Sequence, residues 1–156
     1  MKNILIALDY DPTAQKIAET GHSLAKAMGA QAILLHVISD PVYYASRDYS
    51  PIMGFNGFMD MASIQKDSDT GLKDASFQYL EKTKHHLADP TIQTLVREGD
   101  FADAILKTAK DVHADIIVIG SHSQKWLEKI VMGSVTEKVL NHSTIPLLVV
   151  PTKKRK

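Results

Sequence analysis

Cysteine is absent from the 156 residues, which excludes a disulfide framework and thiolate metal sites and agrees with a reducing compartment. Net charge is absent as well. Eighteen basic residues balance eighteen acidic ones, so no global field draws the chain to nucleic acid or to an anionic membrane. Long apolar runs are also missing. Lys2 precedes Ile4-Leu5-Ile6-Ala7-Leu8, but Asp9 ends that run well short of a signal-peptide core or a membrane span, so a cytoplasmic location is expected. The histidines lack ligand spacing, because His85 and His86 are adjacent on an expected helix and face different ways. What remains is a chain long enough for one domain that buries roughly 70% of its unfolded surface. That domain is expected over 1–151, followed by a basic tail, 152–156, whose Lys153-Lys154-Arg155-Lys156 reads as a solvated end.

Apolar periodicity alternates along the chain. Asn3 to Leu8 reads as a strand, and Ile17, Leu24, Ala25 and Met28 repeat with helical spacing between Pro12 and Met28. Asp11 before Pro12 marks the start of that helix and Gly29 its end. Ala32 to Val37 is a second strand, and Met61 to Leu87 a long helix with a weak point at Gly71. Thr91 to Arg97 is a third strand, and Asp100 caps a helix through Val112. Asp115 to Ile119, a helix from Val135 to Asn141, and Ile145 to Val150 complete the series. Strands joined by crossover helices predict an α/β fold, a three-layer sandwich around a five-stranded, mainly parallel sheet of Rossmann-like type. Ligands are then expected at the carboxyl ends of the strands.

The residues at those ends carry the chemistry. The fourth strand stops at Gly120, and a loop leads to Gly133-Ser134 at a helix start, where unpaired backbone N–H groups suit an anion. Ser134 and Glu137 have capping-box spacing, and Val135 and Thr136 follow with further amides. Ser121, His122 and Ser123 offer two hydroxyls and an imidazole to a phosphate. Asp9 ends the first strand beside Gly120 and suits a ribose hydroxyl or a metal ion, or else a loop cap. Val37, after His36, suits a purine edge through its backbone, or is simply core. Trp126, Leu127, Ile130 and Val131 have the spacing of a short helical turn packed on the sheet edge.

Half of the chain's aromatic residues, Tyr43, Tyr44, Tyr49, Phe55 and Phe58, fall between Ser39 and Asp60, a segment without a clear period. Its place after the second strand suggests a cover for the crevice, a surface for a partner, or a loop packed on its own domain or on a dimer mate.

With these residues in place, the chain resembles the universal stress protein family from Met1 to Pro151. The carriers are Ile4 to Asp9, LLHV at Leu34 to Val37, EGD at Glu98 to Asp100 with its helix, ADIIVIGSH at Ala114 to His122, GSVTEKV at Gly133 to Val139, and IPLLVVP at Ile145 to Pro151. The resemblance implies an adenine nucleotide alpha-hydrolase-like fold and a bound ATP or AMP. Asp9 and Val37 would meet the nucleoside, and Gly120, Ser121, His122, Ser123, Gly133, Ser134, Val135 and Thr136 would surround the phosphates, with any Mg²⁺ brought by the nucleotide beside Asp9. It also implies a homodimer through Ile145 to Val150. Nucleotide-binding members carry G-x2-G-x9-G-[S/T]; here the second glycine is Ser123, and Tyr10 stands where many members have glycine.

A cytoplasmic nucleotide-binding regulator of a stress response, with slow turnover at most, is therefore the first expectation. A nucleotide-free homodimer that binds partners through 39–60 is the second. No lysine of the P-loop kind accompanies the motif, and no G-x-G-x-x-G follows the first strand. The strand-three end, Arg97-Glu98-Gly99-Asp100, lacks the aspartate in the place that a phosphoacceptor domain needs.

Overall fold

The computed structural model describes residues 2–9, 13–38, 68–121 and 134–152. Its elements are β1 (Asn3–Leu8), α1 (Ala14–Met28), β2 (Gln31–Ile38), α2 (Ser68–His86), β3 (Gln93–Glu98), α3 (Phe101–Asp111), β4 (Ile116–Gly120), α4 (Ser134–His142) and β5 (Leu147–Val150). The strands form one sheet in the order β3-β2-β1-β4-β5. All four pairings are parallel, as the crossover helices require.

Alternation along each strand feeds two cores. Ile4, Ile6, Leu8, Leu34 and Val118 face α1 and α2, where Ile17, Ala18, Ala25 and Leu80 close over them. Leu5, Ile33, Leu35, Val37, Ile117 and Ile119 face α3 and α4, against Ala102, Ile105, Ala109 and Val139. The inner strands are covered on both faces and therefore read as unbroken apolar runs. This is the expected three-layer α/β sandwich. Among the described residues no helix is long and apolar enough to cross a membrane.

Several boundaries move by a few residues, each for a local reason. α1 begins at Ala14 after Thr13, and the expected Asp11-Pro12 start lies outside the described residues. Gly29 ends the helix in the left-handed region, φ 63°, and its N–H returns to the carbonyls of Ala25 and Lys26. α2 runs without interruption through Gly71, so that glycine breaks nothing; 61–67 lies outside the described residues. Asp100 caps α3 as expected, its carboxylate accepting from the Asp103 N–H at 3.0 Å. β5 starts at Leu147 rather than Ile145, because the Ser143 hydroxyl donates to the Ile145 carbonyl and accepts from the Ile145 N–H, which turns the chain there. Ser134 is the first helical residue of α4 rather than the residue before it. The segment 39–60, the turn at Trp126 to Val131, and Lys153 to Lys156 also lie outside the described residues.

Candidate functional site

The sheet opens between β1, its central strand, and β4. β1 pairs with β2 as far as Leu8↔His36, and β4 pairs with β5 as far as Gly120↔Val150, but β1 pairs with β4 only as far as Ile6↔Val118. The chain leaves β1 toward β2 on one side and leaves β4 toward β5 on the other. Strand order reverses at this point, and the carboxyl ends part into a crevice. Asp9 stands on one lip, half-buried; Gly120 and Ser121 stand on the other. The first turn of α4 packs above the second lip.

Close packing, not a positive φ, explains the glycine at position 120. A Cβ there would meet Ile17 Cδ1 at 2.6 Å and Thr152 Cγ2 at 2.9 Å. The Gly120 carbonyl accepts from the Thr136 hydroxyl at 2.7 Å, which fixes the start of α4 against the end of β4. Thr136 is buried and Val135 half-buried beside it. Ser121 closes the other side: its N–H donates to the Val150 carbonyl at 2.9 Å, and its hydroxyl accepts from the Thr152 N–H at 3.1 Å. The Ser121 and Thr152 hydroxyls also meet at 3.1 Å. Thr152, expected in the tail, is buried in this cluster. Lys16 of α1 donates to the preceding Pro151 carbonyl at 3.0 Å.

The first lip is held by residues whose part the sequence reading did not assign. His36 is buried, and its Nδ1 lies 2.9 Å from the Leu8 carbonyl. A carbonyl only accepts, so Nδ1 carries the proton. Burial pushes this imidazole down to about 4, against a smaller upward pull from the Leu8 hydrogen bond, so the ring is neutral at physiological pH. Tyr79 of α2 meets it edge-on, with ring centroids 6.1 Å apart, and donates its hydroxyl to the Asp9 carbonyl at 2.8 Å. The signal for His36 was present, since a polar residue inside the LLHV run needs a buried partner. Nothing local marked Tyr79, which is 70 residues from Asp9.

Val37 packs its side chain into the core under α3 and α4, consistent with the plainer of its two readings. The structure thus brings Asp9, Val37, Gly120, Ser121, Ser134, Val135 and Thr136 to the carboxyl ends of β1, β2 and β4 and the start of α4. His122, Ser123 and Gly133 lie outside the described residues. Among the described residues no cluster of three or more His, Asp or Glu side chains is arranged to hold a metal ion. Away from the crevice, Lys138 of α4 bridges to Asp100 and Asp103 of the α3 start at 3.1 and 3.4 Å. The Asp103 N–H and then Lys138 hold the Asp100 carboxyl below its usual range.

Comparison with known proteins fits this geometry. Universal stress protein MJ0577 of Methanocaldococcus jannaschii is 29% identical over 155 residues, covering 97% of this chain and 96% of that one. Universal stress protein YxiE of Bacillus subtilis is 30% identical over 149 residues, 94% of this chain and 97% of its own. The solved structure of MJ0577 superposes with a TM-score of 0.72 at 27% identity, covering 99% of this chain and 97% of that one. A universal stress protein solved in complex with cAMP shares the fold at a TM-score of 0.62 and 16% identity, over 97% of both chains. The model of the Universal stress protein family matches residues 1–151, from the first strand through the residue after β5, and the chain belongs to that family.

Proposed function

We propose that the crevice between β1 and β4 binds an adenine nucleotide, ATP or AMP, as a regulatory ligand in a cytoplasmic stress response, with little or no turnover. The observation that carries this reading is the early end of the β1–β4 ladder at Ile6↔Val118, which leaves Asp9 and Gly120 on opposite lips beneath the start of α4. The donors suit a polyanion: α4 directs its first backbone N–H groups toward that end of the sheet, and no side chain stands at Gly120. A relative that holds cAMP supports an adenine ligand.

In this reading Asp9 takes the ribose, or the water shell of a nucleotide-bound Mg²⁺, which commonly keeps several waters and few carboxylates. The Val37 backbone meets the base. Gly120, Ser121, His122, Ser123, Gly133, Ser134, Val135 and Thr136 surround the phosphates. The functional unit is the domain 1–151, with a basic tail beyond it, and it works as a homodimer through the last strand, Ile145 to Val150. The edge position of β5 supports that pairing.

A nucleotide-free homodimer that binds protein partners through 39–60 is the competing reading, favoured by Ser123 in place of the motif glycine. Calorimetric titration of nucleotide-stripped protein with Mg-ATP and with AMP, after acid extraction to identify any co-purified nucleotide, separates the two. Micromolar binding or a recovered adenine nucleotide is the expected result. An empty protein with no binding heat at several temperatures would overturn the nucleotide reading and favour the competitor.

A further inference from the structure

We propose that His36 and Tyr79 are positioning residues for the nucleotide crevice: together they hold the last two carbonyls of the β1 end on the β2 side and so set the span between Asp9 and Gly120. This rests on the nucleotide-binding reading above.

Past Ile6↔Val118 the end of β1 has no ladder partner in β4, and its backbone is held from the opposite direction. The Leu8 carbonyl accepts from Nδ1 of His36, its own register partner on β2. The next carbonyl, that of Asp9, accepts from the Tyr79 hydroxyl. The two holding groups support one another through the edge-on ring contact at 79° between planes. His36 is 1% exposed, so water does not compete with it for Leu8. Thr83, one turn after Tyr79, returns its hydroxyl to the Tyr79 carbonyl and so packs along the same stretch of α2.

The peptide that carries Asp9 is therefore fixed from α2 and β2, and the opposite lip is fixed separately by Thr136 on Gly120. A nucleotide bridging the lips meets the Asp9 backbone already in place, so less of the chain has to be ordered at the moment of binding. Hydrogen bonds of this kind act on affinity through geometry, without touching the ligand.

Tyr79→Phe keeps the ring and its contact with His36 and removes the donor to Asp9. Three measurements on the full chain test its role: the backbone carbonyl carbon resonance of Asp9, the dissociation constant of a fluorescent adenine nucleotide with Mg²⁺, and the same constant in an Asp9→Asn background. The expected result is an upfield shift of the Asp9 carbonyl and about fivefold weaker binding, the worth of one neutral hydrogen bond. That loss should disappear in the Asp9→Asn background, because the effect passes through Asp9. His36→Asn, which carries an N–H near the place of Nδ1, should retain more affinity than His36→Leu.

Equal binding by wild type and Tyr79→Phe would overturn the positioning role and leave nucleotide binding intact. A loss of equal size in both backgrounds would overturn it too, by showing that the effect bypasses Asp9. No binding by wild type would remove the nucleotide reading and this proposal with it.

Discussion

Thr136 Oγ1 donates to the carbonyl oxygen of Gly120 across 2.7 Å, joining the first turn of α4 to the last residue of β4. The bond spans the loop on which the family's phosphate motif lies. It makes the position of the helix start depend on the strand end, so the end of β4 and the start of α4 are tied together.

Thr136→Val keeps the shape of the side chain and removes the donor, leaving the Gly120 carbonyl without it. The expected cost is about 1–2 kcal/mol of stability in urea unfolding, with nucleotide binding weakened several-fold. Thr136→Ser, which keeps the hydroxyl, should recover most of the binding. If Thr136→Val and Thr136→Ser bind alike, the hydroxyl has no part in holding the site.

Gly120→Ala should destabilise the fold by about 1–3 kcal/mol, since the added methyl would lie 2.6 Å from Ile17 Cδ1 and 2.9 Å from Thr152 Cγ2. Shortening Ile17 to Val in the same chain removes the nearer atom and should restore part of the loss. Equilibrium unfolding of both variants measures this, and an undiminished loss in the double variant would assign the strain elsewhere.

His36 predicts a pH dependence with a definite sign. Its folded pKa lies near 4, below the ordinary value of 6.5, so between these values the unfolded chain binds the proton and the folded chain does not. Stability therefore falls as pH falls through this window, by about 2 kcal/mol between about pH 7.5 and about pH 5. The loss should shrink in His36→Asn, which cannot be protonated. Urea melts of the two proteins across the window provide the check. Asp89 behaves differently: the Thr91 hydroxyl, then His22 and the Thr91 N–H, hold its carboxyl down to about 2, so its contribution is lost only in stronger acid, between 3.8 and that value.

Ser123→Gly restores the glycine of the family motif and should tighten ATP binding up to about tenfold if that position requires a positive φ, which costs serine about 1–2 kcal/mol. Titration calorimetry reads the change directly. Unchanged or weaker binding would show that Ser123 is not what limits affinity.

Much of this was legible before the fold was known, because it depends on neighbours in the chain. Apolar runs, and alternation in the third, located the five strands to within a few residues, and Gly29 and Asp100 marked helix ends through their own backbone chemistry. The α/β architecture followed from crossover helices between strands, and the carriers from Ile4 to Pro151 identified the family that the comparisons show. Boundaries slipped where one side chain intervened, as Ser143 does before β5. Gly71 was overvalued as a break, because a glycine within a helix of 19 residues costs too little to interrupt it once Ala75 and Leu80 are buried on the sheet.

Residue types and their order in the chain determined the elements, the sheet class and the small residues at the end of β4 and the start of α4. Tertiary structure alone decided how the crevice is held. Tyr79 reaches Asp9 across 70 residues, Thr152 meets Ser121 across 31, and Ile17 requires glycine at position 120. Such contacts leave no period or motif in the sequence, since they depend on which strand ends lie side by side, and that is set only when the whole sheet has formed.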